Sequence, residues 1–188
     1  MKKLEKMKAE EFFSDGLKSG IAKLNTEISK FNDELETLQK RIEKIKEDFW
    51  SFDNAAEFQK ELEAVRKGTL SLAFKAGQII NKKIQLLKNT LIDKDAALQA
   101  NRNAALERVK HIQGEVLKLF PGSRPSRANS VISEDEEVIE LRHKYNEIET
   151  WGTSNYWNIS QEENIIEDAR KIISNEIELQ TGKDIEND

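Results

Sequence analysis

An apolar seam runs without interruption through Leu17, Ile21, Leu24, Ile28, Phe31, Leu35, Leu38, Ile42, Ile45 and Phe49. Its steps alternate four and three residues, the a/d rhythm of a coiled coil. A helix with so narrow a stripe cannot bury it alone and must lie along another helix. At about 1.5 Å per residue the seam predicts a rod of roughly 50 Å.

A second helix is expected directly afterwards. Ser51-Phe52-Asp53-Asn54 supplies candidate N-caps, and Phe58, Leu62, Val65, Thr69, Leu72, Ala76 and Ile79 then share one face. The seam resumes as Ile80, Ile84, Leu87, Leu91, Leu98, Ala105, Val109, Ile112, Val116 and Leu119. Two successive steps of four, Leu72 to Ala76 to Ile80, read as a stutter. As one piece, residues 54–119 would span roughly 100 Å, more than the first helix can cover. Gly68, Gly77 and Asp93-Lys94-Asp95 are candidate bends, and the C-terminal segments are expected to cover the excess.

Residues 3–14 read as a short helix carrying Leu4, Met7, Phe12 and Phe13, loosened afterwards at Asp15-Gly16 and Gly20. Phe120-Pro121-Gly122 ends the second helix, and residues 121–132 form a polar, flexible linker. Ser133-Glu134-Asp135-Glu136 and Ser160-Gln161-Glu162-Glu163 each match a capping box, so two further helices are expected, separated by an aromatic loop from Trp151 to Asn158. Residues 183–188 should fray.

Composition agrees with long helices that have wet outer faces. Charged residues make up 35 %, hydrophobic ones 37 %, and only two prolines and eight glycines occur, too few for a turn-rich sheet protein. The expected fold class is all-α: a long antiparallel coiled-coil helical hairpin over 1–120 with its tip near 50–54, the linker, and a two-helix acidic segment over 133–182. With no cysteine, disulfides and thiolate metal sites are excluded. No apolar h-region follows Met1, and no run approaches the roughly 20 apolar residues of a transmembrane helix. A soluble, cytoplasmic protein is the expectation.

Catalysis has no visible basis. His111 and His143 stand among charged neighbours with no His or Cys partner at ligand spacing, and no phosphate loop or nucleophile elbow is present. Acidic pairs Glu136/Glu140 and Glu163/Glu167 belong to solvated helices. The expectation is a non-enzyme with no metal or cofactor.

Charge is graded along the chain. Residues 1–50 are neutral, residues 51–120 carry a net +4, and residues 121–188 a net −9. The basic stretch presents Arg66, Lys67, Lys75, Lys82, Lys83, Lys88, Arg102, Arg108 and Lys110, enough positive field to attract an anionic partner. Three readings follow: the acidic C-terminal segment packs on this face, an acidic protein binds it, or nucleic acid or anionic lipid does so through phosphate contacts. Only Phe74 is available there for base stacking.

Two aromatic groups complete the candidates. Phe49, Trp50 and Phe52 stand at the hairpin tip, either folded back over the last seam layer or displayed as a hot spot for a partner. Trp151, Tyr156 and Trp157 either clamp the C-terminal helices or form a recognition surface. The leading function is a non-catalytic scaffold or adaptor that binds another protein, with self-association plausible. The runner-up is a nucleic-acid-binding accessory protein using the basic face, with the acidic C-terminal segment as autoinhibitor.

Overall fold

The structure is a computed structural model that describes residues 1–47 and 55–185, with side chains throughout except at Pro125, Tyr156, Trp157 and residues 183–185. It is all-α: α1 spans Asp15–Glu47, α2 Ala55–Leu119, α3 Pro125–Glu134 and α4 Glu136–Ile185, with no strand among the described residues. Among the described residues, no helix is long and apolar enough to cross a membrane.

The seam of α1 is buried at Leu17, Ile21, Leu24, Ile28, Phe31 and Leu35. Leu38, Ile42 and Ile45 are half-buried, and Phe49 lies outside the described residues. At 100° per residue the six buried positions fall within an arc of about 80°, narrow enough for one neighbour. α2 has a wider stripe. Leu72, Ala73, Ala76, Ile79, Ile80, Lys83, Ile84 and Leu87 are all buried, an arc of about 140° that needs more than one neighbour.

α2 continues through the candidate bends Gly68, Gly77 and Asp93 as one long helix. Other expectations are corrected. Within the expected linker, α3 begins at Pro125, whose fixed φ and missing N–H suit the first helical turn. The expected loop over 151–158 is helical, and α4 runs as one helix where two were expected. Capping boxes are local patterns that also occur inside helices, and neither one opens a helix here. Ser133 lies within α3 and Ser160 within α4, whose actual N-cap is Asp135, accepting the Val138 N–H at 3.1 Å. Residues 1–10 are not helical.

The chain divides into two compact units. Of the described residues, the first gathers 1–10, 15–47, 55–87 and 159–185. Its ion pairs Lys82–Glu27 (2.8 Å), Lys75–Glu34 (2.5 Å) and Arg41–Glu61 (2.7 Å) descend along α2 as they ascend α1, so the two segments run antiparallel. Gly20 and Gly68 set the close approach between them. A Cβ on Gly20 would sit 3.1 Å from Leu86 Cδ2, and one on Gly68 would sit 3.0 Å from Leu38 Cδ1, so each glycine receives a leucine from the facing helix. α4 also runs antiparallel to α2, through Glu162 on Lys83 and Glu176 on Arg66.

The second unit gathers residues 11–14 and 88–158. Its core joins Ile112 and Val116 of α2, Ala128 and Ile132 of α3, and Val138 of α4. The turn leading into α3 is set by Pro121-Gly122: Gly122 has φ +81°, and the Ser123 N–H bonds the Phe120 carbonyl at 3.0 Å, a type II turn. Arg127 then lies 3.9 Å over the Phe120 ring.

Ile28 is fully buried at the centre of the α1 seam. Ile28→Ala is expected to lower the unfolding free energy by about 2–5 kcal/mol, through lost transfer energy plus the cavity left behind. Denaturant unfolding checks this; a loss below about 0.5 kcal/mol would mean the seam position is not packed.

Candidate functional site

The feature that sequence reasoning missed is the way the first unit holds residues 1–10. Asn32 takes Leu4 by both backbone groups: the Leu4 N–H donates to Asn32 Oδ1 at 2.8 Å, and Asn32 Nδ2 donates to the Leu4 carbonyl at 2.9 Å. Asn25 holds Met7 in the same way, both bonds being 2.8 Å. Each carboxamide thus stands in for a facing peptide group, donating and accepting at once.

The spacing explains the conformation of the segment. Asn25 and Asn32 are seven residues apart on α1, about 10.5 Å along the axis, and the residues they hold are three apart. The segment therefore advances about 3.5 Å per residue, the rise of extended chain, and runs antiparallel to α1. Leu4 and Met7 bury their side chains. The i, i+3 apolar pattern read as helical thus belongs to an extended strap. Its backbone groups find partners on α1, which removes the need for helical bonds.

A signal for the clamp was present in the sequence. Asn25 and Asn32 occupy one heptad position in successive heptads, each following a seam residue, Leu24 and Phe31. Flanking positions in coiled coils ordinarily carry Glu or Lys. Two carboxamides there are a departure from that rule.

Lys83 of α2 closes the other side. It is 5 % exposed, donates to the Glu5 carbonyl at 2.9 Å, and pairs with the buried Glu162 carboxylate of α4. The second oxygen of Glu162 has no hydrogen-bond partner among the described residues. Beside the strap a cavity of about 690 Å³ remains open, walled by Leu4, Glu5, Ala76, Glu162, Asp168 and Ile172. On the exposed flank Lys3 pairs with Glu36 at 2.8 Å, and Lys40 reaches the same carboxylate at 3.0 Å. These two ammonium groups hold the Glu36 carboxyl down to about 2, Lys3 being the larger influence.

In the second unit Trp151 is half-buried and stacks edge-on against Phe12 and Phe13, with ring centroids 5.3 and 5.4 Å away. Ser14 gives both its N–H and its hydroxyl to Asp93, each at 2.8 Å. A Cβ on Gly152 would meet the Lys94 Cδ at 2.5 Å, so the glycine makes room for that buried lysine stem. Arg108 grips Asp135 with two bonds, 3.3 and 2.8 Å. That pairing, together with the Val138 N–H, lowers the Asp135 pKa.

The sequence-predicted sites are distributed as follows. Phe49, Trp50 and Phe52 lie outside the described residues, as do the side chains of Tyr156 and Trp157. Of the basic candidates, Arg66, Lys67, Lys75, Lys82, Lys83, Arg108 and Lys110 each stand within ion-pair distance of an acidic side chain of the same chain. Arg102 lines a separate cleft of about 250 Å³ with Leu106, Leu141, Arg142 and Tyr145. His111 and His143 are exposed. No group of three or more His, Cys, Asp or Glu side chains among the described residues is arranged to hold a metal ion.

No protein-family model, curated protein or solved structure matches this chain.

Two predictions follow from the strap and its ion pairs. Lys83→Met is expected to cost about 3–5 kcal/mol, because it strands the buried Glu162 charge, whereas Lys83→Met with Glu162→Leu recovers most of the loss. Equal losses in both variants would show that the pair is not coupled. The second concerns pH. Since the folded Glu36 pKa lies below its ordinary value of 4.5, its stabilising effect is complete above 4.5 and fades as pH falls towards about 2. The native chain should therefore be more stable than Glu36→Gln above pH 4.5, and the gap should close near pH 2. Unfolding measured across that range checks it, and a gap independent of pH overturns it.

Proposed function

We propose that the chain is a non-catalytic scaffold or adaptor that works through protein–protein interaction, built on an antiparallel coiled-coil hairpin. The observation that carries this reading is a set of three exposed apolar side chains on the part of α2 in the second unit. Ile92, Leu106 and Leu117 are 66 %, 47 % and 55 % exposed. Their spacings of fourteen and eleven residues bring them within about 40° of one another on the helix. Gln99, Asn103 and Lys110 lie between them on that face, so a partner protein would meet separate apolar anchors set in a polar surface.

The runner-up, nucleic-acid binding through the basic face, has less support. Seven of its nine cations have an acidic neighbour in the chain. Such neighbours cut the field that a phosphate backbone would feel. Self-association remains part of the scaffold reading, as do partner contacts at Trp50 and Trp157.

The deciding experiment is fluorescence anisotropy of labelled single- and double-stranded oligonucleotides titrated with the full chain. The scaffold reading expects no binding at low salt. Binding that weakens steeply as salt rises would replace it with the nucleic-acid reading.

A further inference from the structure

We propose that the groove of the first unit is a receptor for an extended peptide, and that residues 1–10 are its displaceable occupant in cis. The inference deepens the scaffold reading and rests on it. Its partner class is an unstructured segment of another protein with two apolar side chains three residues apart and a basic residue just before the first.

The groove recognises its occupant in a general way. Asn25 and Asn32 bind N–H and C=O groups, which every non-proline residue carries, and Lys83 binds another carbonyl. Selectivity comes from what surrounds these clamps. Two buried sites take Leu4 and Met7, and the Glu36 carboxylate takes Lys3. All of these demands can be met by a foreign segment of the same pattern.

The occupant is held by side-chain clamps from α1 and α2. Residues 1–10 have no helical or sheet bonds of their own, and Lys2, Lys3, Glu5, Lys6 and Lys8 are exposed. The groove extends beyond it as well. The open cavity beside the strap is walled by charges of both signs, Lys2 and Lys3 of the strap and Glu162 and Asp168 of α4; displacing the strap removes the two lysines and leaves the acids. A longer basic peptide would face those acids. Because the cis segment is present at an effective concentration on the order of millimolar, it masks the groove until a better or more concentrated segment displaces it.

The test uses the full chain and a labelled peptide with the sequence of residues 1–12. In the L4D/M7D variant the cis occupant is weakened while every groove residue is kept. The peptide should bind this variant about tenfold or more tightly than it binds the native chain. Adding Asn25→Leu and Asn32→Leu should remove the gain, and a peptide with its leucine and methionine made adjacent should bind neither chain. Circular dichroism reports whether L4D/M7D keeps its helices. Loss of helix would make the strap a fixed part of the core, and intact helix without peptide binding would mean that the groove accepts nothing in trans; either result overturns the proposal. Concentration-dependent dimers of the native chain that L4D/M7D abolishes would name a second copy as the occupant, and also overturn it. Oligonucleotide binding is read separately, so failure of the peptide groove and failure of the scaffold reading are distinguishable.

Discussion

The width of each helix's apolar stripe decides what must pack against it. α1 buries an arc of about 80° and is satisfied by the facing part of α2. α2, between Leu72 and Leu87, buries about 140° and therefore collects further neighbours. In the first unit these are the extended strap and the later part of α4, which meet at Lys83. The extra flank on α2 is what turns a pair of helices into a cradle for a third helix and a strap.

Lys83 shows the cost and the use of that arrangement. A buried ammonium is tolerated only when its charge is paired and its donors are satisfied. Here a carboxylate from α4 and a carbonyl from the strap share the task, so one side chain ties three separate segments together. An apolar residue at this position would strand the Glu162 charge on α4 and leave the Glu5 carbonyl without its donor. The charge therefore couples the three segments, and removing it alone costs all of these contacts at once.

Much of the helical frame was legible because heptad spacing reports directly on burial. The seam from Leu17 to Leu35, the end of α2 at Leu119 and the Pro121-Gly122 turn all follow from local chemistry that tertiary contacts do not override. The misreadings share a different cause. Leu4 and Met7 at i, i+3 fit a helix, but they fit equally an extended segment held at every third residue by groups one heptad apart. Ser160-Gln161-Glu162-Glu163 resembles a helix start, yet Glu162 serves a lysine 79 residues away. Trp151 suggested a loop because aromatic and polar residues cluster there, while its ring is occupied by Phe12 and Phe13. In each case the deciding partner is distant in sequence, and no local pattern can name it.

The asparagine clamp separates two kinds of specificity that helical proteins usually combine. Side-chain packing along the seam is selective for sequence: a leucine at Gly68 would collide with Leu38. A carboxamide that pairs with a peptide group is selective for conformation alone, since it requires only that the N–H and C=O of one residue face the same way. Seven helical residues and three extended ones cover nearly the same distance, so a heptad repeat carries its own ruler for extended chain. Any seam flanked by asparagines one heptad apart can hold such a segment antiparallel to the helix. Here the first unit presents one face of α1 to helices and the adjoining face to a strap, and the two are set by the same repeat.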